Sequence, residues 1–371
     1  MKEINKTPYF IHLDVLRFFA AIAVLLFHYH AFLKGAFPEN YILKSIAPIF
    51  NKGHLGVNLF FVLSSFLITF LTIKEIQQTS TFSIKYFIIR RTLRIWPLYF
   101  LVVGISFLII NSFPIYGETT HQPHYFLVFL SNFSEINFGA TDHYTQLTIP
   151  WSVSIEEQFY LFWAIVIGGF NFIKKNHLIR LFVLLLILSL IFQFFNYDDQ
   201  RTLYYHTFSA VTDFSIGAIS AWLFVHYPAF IKKIVELKKS YIYSIWASII
   251  LIFIFKNKIF HYDAFIIFER LIISCCMAWI ILRMISDKFI FPIKFKGIAI
   301  HLGKASYGIY MYHALILFFV EIIFARYNLE IYYLLIILML SLVTTILISH
   351  LSFKYFESYF LRFKSTFRKI Q

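Results

Sequence analysis

The chain has 371 residues, a formal charge of +14 at pH 7, and is 60% hydrophobic and 21% aromatic with only 14% charged residues. Its mean hydropathy of +0.73 excludes an ordinary soluble domain, and apolar runs of membrane-spanning length recur from end to end. The positive charge does not mark a nucleic-acid protein, because the lysines and arginines punctuate apolar segments instead of forming one stripe.

Ten full spans are predicted, at residues 13–34, 54–73, 96–113, 151–173, 178–196, 203–226, 240–255, 265–284, 305–325 and 331–352. Each is near the ~20 residues that a bilayer requires. A shorter apolar piece, residues 125–133, is too short to cross and is expected to be re-entrant or interfacial. The expected fold is therefore all-α and polytopic. The basic residues test the count. Alternate connections and both ends hold 24 of the 33 lysines and arginines, the opposite connections hold 7, and Arg17 and Arg270 fall within spans. That bias predicts both termini in the cytoplasm. Reading 125–133 as a crossing inverts every later loop and degrades the asymmetry. Residues 111–151 lie within the longest stretch without lysine or arginine. It is rich in polar and aromatic residues (Tyr116, Glu118, His121, His124, Glu135, Asp142, His143, Tyr144) and is expected to face outward. Cys275 and Cys276 are chain neighbours, which an ordinary structural disulfide does not bridge.

Five constellations carry chemistry. In the first span Arg17 and His28 lie eleven residues apart, about three helical turns plus 20°, so both face one way at depths roughly 16 Å apart. Ionisable groups in such a segment cost about 2.5–3.5 kcal/mol or more on insertion scales and point to function. Asp14 sits at helical pair spacing from Arg17. The arginine suits bidentate capture of a phosphate or carboxylate, and the imidazole suits a general base. The same residues also read as a snorkelling arginine and a histidine bonded to a neighbouring helix. Next, residues 53–67 bring Gly53, His54, Gly56, Asn58, Ser64 and Ser65 to one span, a helix-packing face with His54 at its outer start. Third, Arg90-Arg-Thr-Leu-Arg94-Ile-Trp-Pro97 is a topology anchor or a cytoplasmic clamp for a polyanion, with Pro97 in the first turn of its span.

The fourth constellation, Pro150-Trp-Ser-Val-Ser154-Ile-Glu156-Glu157-Gln-Phe-Tyr160, opens a span from the outer side. Ser154 and Glu157 fit a capping box, while two adjacent carboxylates also suit orienting a histidine or binding an acceptor hydroxyl. In the fifth, Gly303 to His313, His313 enters roughly 13 Å past Lys304, with Tyr307 and Tyr310 in its neighbourhood.

Together these blocks resemble the acyltransferase-3 family of integral membrane acyltransferases, in order and over essentially the whole chain. The matching blocks are Arg17-x10-His28, Gly56 to Ser64, Arg90 to Pro97, Trp151 to Tyr160, and Leu302 to His313. The chain departs from the pattern at Asn58, where aspartate is common, at Ser65, where glycine is common, at Leu315, where proline is usual, and at Glu357-Ser-Tyr, a partial Glu-x-Pro. The resemblance implies transfer of an acyl group, usually acetyl, from cytoplasmic acyl-coenzyme A to a hydroxyl of an extracytoplasmic or lipid-linked sugar, with no metal. It implies Arg17, Arg91 and Arg94 as coenzyme A phosphate ligands, with Arg91 and Arg94 favoured over Arg90. His28 is the implied base, Glu156 or Glu157 orients it or the acceptor, and Tyr310 and His313 shape the thioester pocket. Residues 1–371 are expected to be one integral membrane domain in a bacterial inner membrane, without the fused extracytoplasmic domain of some relatives. Expected partners are membrane lipids, the glycan acceptor and polysaccharide-assembly proteins. Competing readings are a transporter or exporter of a glycan intermediate, a non-catalytic scaffold, or succinyl in place of acetyl transfer.

Overall fold

Long helices follow the apolar runs. The computed structural model describes residues 9–112, 119–139, 145–169, 175–260, 263–285, 296–327 and 330–367, and among these there is no strand. In chain order the long helices are α1 (Ile11–Ala36), α2 (Leu55–Thr79), α3 (Ile84–Ser112), α4 (Trp151–Gly169), α5 (Lys175–Phe195), α6 (Thr207–His226), α7 (Lys239–Ile259), α8 (Asp263–Ile285), α9 (Ser306–Tyr327) and α10 (Ile331–Ser352). Among the described residues, 9 helical stretches are long and apolar enough to cross a membrane. The tenth expected span, α4, is a helix of 19 residues whose first half carries Glu156, Glu157 and Gln158. The chain is an all-α, multi-pass membrane protein.

Residues 125–133 divide between two short helices, Pro123–Leu127 and Ser131–Phe138, with Phe129 between them at φ +56°. Neither can cross a bilayer. Side chains satisfy the polar groups that this break exposes. Gln158 Nε2 donates to the Phe129 carbonyl at 2.7 Å and to Asn132 Oδ1 at 2.8 Å. Thr207 Oγ1 donates to Gln158 Oε1 at 2.5 Å. Buried His121 and Glu135 meet at 3.2 Å, and Arg201 Nε donates to the Glu135 carbonyl at 2.6 Å. Of the other residues noted in this stretch, Tyr116, Glu118, Asp142, His143 and Tyr144 lie outside the described residues.

Two local expectations are corrected. Pro97 does not open a span; α3 begins at Ile84, so Pro97 is interior. Its missing N–H removes one helical hydrogen bond, a defect that membrane helices tolerate as a bend. Nor do Ser154 and Glu157 form a capping box, because α4 already begins at Trp151. Ser154 instead bonds Ser131 Oγ at 2.7 Å, and Glu157 Oε2 accepts from Trp96 Nε1 at 2.8 Å.

Packing centres on α2, which lies against α1, α6 and α8. In lipid there is little hydrophobic force between helices, so close backbone approach and polar contacts hold them. Gly56 meets α1: a Cβ there would lie 2.6 Å from the Ala20 carbonyl oxygen. Gly217 on α6 meets α2 in the same way, 2.3 Å from the Val62 carbonyl oxygen. A buried carboxylate ties three helices. Asp213 on α6 accepts from Arg270 Nε on α8 at 2.7 Å, from Ser274 Oγ at 2.5 Å, and from Asn58 Nδ2 on α2 at 3.2 Å. That assigns the in-span Arg270 a structural partner. Gly217→Ala should force α2 and α6 apart and lower stability by about 1–3 kcal/mol. A thermal melt of the detergent-solubilised protein checks this, and an unchanged midpoint would contradict the close approach.

Candidate active site

Two cavities meet at Tyr310. The first, of about 770 Å³, is lined by Arg17 from α1, Ser64 from α2, Arg91 and Arg94 from α3, Glu156 and Tyr160 from α4, and Tyr307 and Tyr310 from α9. Helical spacing explains the cluster: Arg91 and Arg94 are three apart, and Glu156 and Tyr160 four apart, so each pair shares a face. Arg90, one step round the helix, is absent from the lining. It bonds the buried Glu75 at 3.1 Å and donates Nη1 to the Phe367 carbonyl at 2.7 Å, so its role is to hold α2 and the C-terminal turn to α3.

The cations of the first cavity differ in how far they are matched. Arg17 Nη1 pairs with Asp14 at 3.1 Å, and Tyr9 also bonds Asp14. Arg91 packs its guanidinium 5.3 Å from the Tyr160 ring centroid and 5.6 Å from that of Phe87. Among the described residues neither Arg91 nor Arg94 forms an ion pair. Tyr160 donates to Glu156 Oε2 at 2.7 Å, which leaves Ser64 as the donor to Tyr160 Oη at 2.5 Å. This network holds Glu156 at the cavity wall. Beside Glu156, the carboxylate of the same lining, two guanidiniums in no ion pair among the described residues can make bidentate, charge-assisted contacts to an anion.

Lys364 is the residue that sequence reasoning missed. It lies in the turn Lys364–Phe367 that Arg90 pins. Burial first, then the charges of Arg94, Arg91, Arg90 and Arg17, push its ammonium down to about 6. Its position in the terminal tail carries no sequence signal for this, because the tail reads as one of many basic connections.

The second cavity, about 640 Å³, is lined by Val24, Phe27 and His28 from α1, with His54, Val57, Thr148, Trp151, Tyr204, Tyr205 and Tyr310. Val57 and Tyr310 line both cavities, so the arginine cavity and the His28 chamber adjoin at these two residues. Tyr310 Oη bonds Ser152 Oγ at 2.6 Å, and its ring lies 5.9 Å from those of Phe60 and His313.

His28 is oriented by another histidine. Its Nδ1 lies 2.9 Å from the Val24 carbonyl and 3.3 Å from His313 Nε2. His313 Nδ1 lies 3.2 Å from the Ile309 carbonyl. A carbonyl only accepts, so both rings carry hydrogen on Nδ1. His28 Nδ1–H is then shared between Val24 and the lone pair of His313 Nε2, and His28 Nε2 is the basic nitrogen. The site residues named from sequence thus divide three ways. Arg17, Arg91, Arg94 and Glu156 line the first cavity, and His28 the second with His313 behind it. Tyr310 stands between them. Glu157 faces a groove of about 550 Å³ beside Trp96 and Phe129, which shares Arg91 and Tyr160 with the first cavity, and His28 is bonded to neither glutamate.

Residues 10–350 match the family described as "Acyltransferase domain". The chain is 28% identical over 382 residues to O-acetyltransferase OatA of Staphylococcus aureus strain NCTC 8325, and equally to that of strain COL. Each alignment covers 96% of this chain and 58% of the relative, so the chain spans little more than half the length of these proteins. No solved structure matches it.

With no bound anion Lys364 is largely neutral at pH 7.5, because its pKa is near 6. An anion among the arginines favours the ammonium, so binding sulfate, which carries no titrating proton in this range, should take up about one proton near pH 7.5 and about none below pH 5. Calorimetry in buffers of different ionisation enthalpy measures this uptake, and Lys364→Met should remove it.

Proposed function

This chain belongs to the acyltransferase family, and from that premise we propose that it moves an acyl group, most simply acetyl, from acyl-coenzyme A to a hydroxyl of a sugar. The observation that carries the reading is the shared lining: a cationic cavity and a histidine chamber that adjoin at Tyr310 and Val57. The phosphates of the donor are bound by Arg91 and Arg94, with Arg17 alongside, and the thioester arm reaches past Tyr310. The acceptor arrives from the other side. The membrane is proposed to be a bacterial inner membrane, with the arginine face cytoplasmic as the basic-residue bias favours, and the acceptor a surface or lipid-linked glycan.

His28 Nε2 takes the proton of the acceptor hydroxyl as its oxygen bonds to the thioester carbonyl carbon. The carbon–sulfur bond breaks and the coenzyme A thiolate receives the proton from His28. The Val24 carbonyl and His313 hold the ring, and His313 stabilises the imidazolium by accepting from Nδ1–H. Holding both substrates in adjoining cavities supplies the proximity that the reaction needs. Tyr310 keeps water of the first cavity from the reacting carbonyl until the arm displaces it.

In nanodiscs His28→Ala should abolish acylation of acceptor while pyrophosphate still binds. Arg94→Ala should raise the KM for acetyl-coenzyme A by about tenfold or more at little-changed kcat, as expected on losing a charge-assisted contact. An active His28→Ala enzyme would end this assignment. Tyr310→Ala should open the wall. Acceptor-independent hydrolysis of acetyl-coenzyme A should then rise about tenfold relative to Tyr310→Phe, read as free thiol; equal hydrolysis in the two variants would rule out the barrier.

A further inference from the structure

A third cavity, of about 630 Å³, adjoins the histidine chamber and shares His54, Val57, Trp151 and Tyr204 with it. Its lining differs from that of the arginine cavity. Trp151 and Tyr204 present rings 5.0 Å apart at 47°, and His54 crosses Tyr204 edge-on at 6.2 Å. Planar polar groups face the same space, from Asn58, Gln193 and Gln200. Its two cations are matched: Lys256 Nζ lies 2.6 Å from Glu269 Oε1, and Arg270 Nε 2.7 Å from Asp213 Oδ2.

Hydrogen-bonding capacity is left over. Gln200, exposed on the short helix Gln200–Tyr205, makes only a long 3.5 Å bond to the Tyr197 carbonyl. Tyr204 Oη has no hydrogen-bond partner among the described residues, and burial pushes its phenol up to about 12, so it stays a neutral donor and acceptor. Aromatic rings stack on the C–H faces of a pyranose, and planar amides and hydroxyls bond its hydroxyls. Charges that are already paired offer no net attraction to an anion, and a polar lining does not suit a hydrocarbon chain.

We propose that this third cavity is the acceptor subsite and that it takes a neutral saccharide, which enters past Gln200 and presents a hydroxyl to His28 Nε2 across the shared Trp151–Tyr204–His54 rim. The inference rests on the acyl-transfer reading and names its acceptor. The sugar ring lies against Trp151 and Tyr204, and the hydroxyl aimed at His28 is the one that loses its proton.

The test uses the full chain in nanodiscs with acetyl-coenzyme A and a panel of neutral disaccharides, of hexose and of N-acetylhexosamine type. Each is supplied free or as an alkyl glycoside embedded in the disc, beside uronic-acid counterparts. Thiol release and saccharide acetylation are measured separately. Neutral members should be acetylated in preference to acidic ones; the free or the embedded form being used at lower concentration tells whether the acceptor is soluble or lipid-linked. Tyr204→Phe and Gln200→Ala should each raise the acceptor KM by about three- to tenfold, the loss of one hydrogen bond, with the KM for acetyl-coenzyme A unchanged. Gln200→Trp should fill the mouth and remove acceptor turnover while pyrophosphate still binds. Three results overturn the subsite: acetylation of neutral sugars with wild-type acceptor KM in all three variants, preference for the acidic sugars, or thiol release with no neutral member acetylated. Failure of the wild-type chain to release thiol or acetylate anything would instead sink the acyl-transfer reading.

Discussion

A charge inside a bilayer has to be matched or it has to serve a ligand, because no water is present to solvate it. The cations carried on the long helices follow this rule. Arg270 goes to Asp213, Lys256 to Glu269 and Arg90 to Glu75, at 2.7, 2.6 and 3.1 Å. Arg91 and Arg94 have no carboxylate of this kind among the described residues, and they line the same cavity. These matched pairs join helices, while Arg91 and Arg94 line one cavity with Glu156 and with Arg17, whose partner Asp14 is on its own helix.

The second constraint is geometric. Arg17 and His28 stand on one helix at two depths, and α9 supplies both the wall and the support, since Tyr310 separates the cavities and His313 sits three residues on, behind His28. One turn of one helix thus sets the barrier and the base together. A shift of α9 against α1 would move both, so the close packing that holds α1 in place bears directly on the site. Gly303, whose Cβ would lie 2.0 Å from the Asp14 carbonyl oxygen, clamps the start of α1 next to Arg17.

Departures from the family pattern also acquire a physical reading. Asn58, where aspartate is common, donates Nδ2–H to Asp213 at 3.2 Å; a carboxylate there would face Asp213 with like charge unless one of them held a proton. Ser65, where glycine is common, donates Oγ to the Phe214 carbonyl at 2.5 Å, exchanging bare backbone contact for a hydrogen bond between α2 and α6. Both changes strengthen the polar join behind the third cavity without altering the arginines or the histidines.

What could be read along the chain was whatever depends on local repetition. Apolar run lengths place the long helices, because each must satisfy its own backbone within the lipid. The eleven-residue interval puts Arg17 and His28 on one face, because helical pitch is constant. Even the short apolar piece at 125–133 is told from a crossing by its length and by the charge of the loops around it. Pairings between distant segments were not legible. Asp213 with Arg270, Lys364 with the arginine cluster, and His28 with a histidine 285 residues later depend on which helices touch and at what rotation. So does the turning of Glu157 toward Trp96 and away from His28. Periodicity defines a face; only packing decides what that face meets, because the contacts that choose among neighbours are short-ranged and lie between residues that the chain holds far apart.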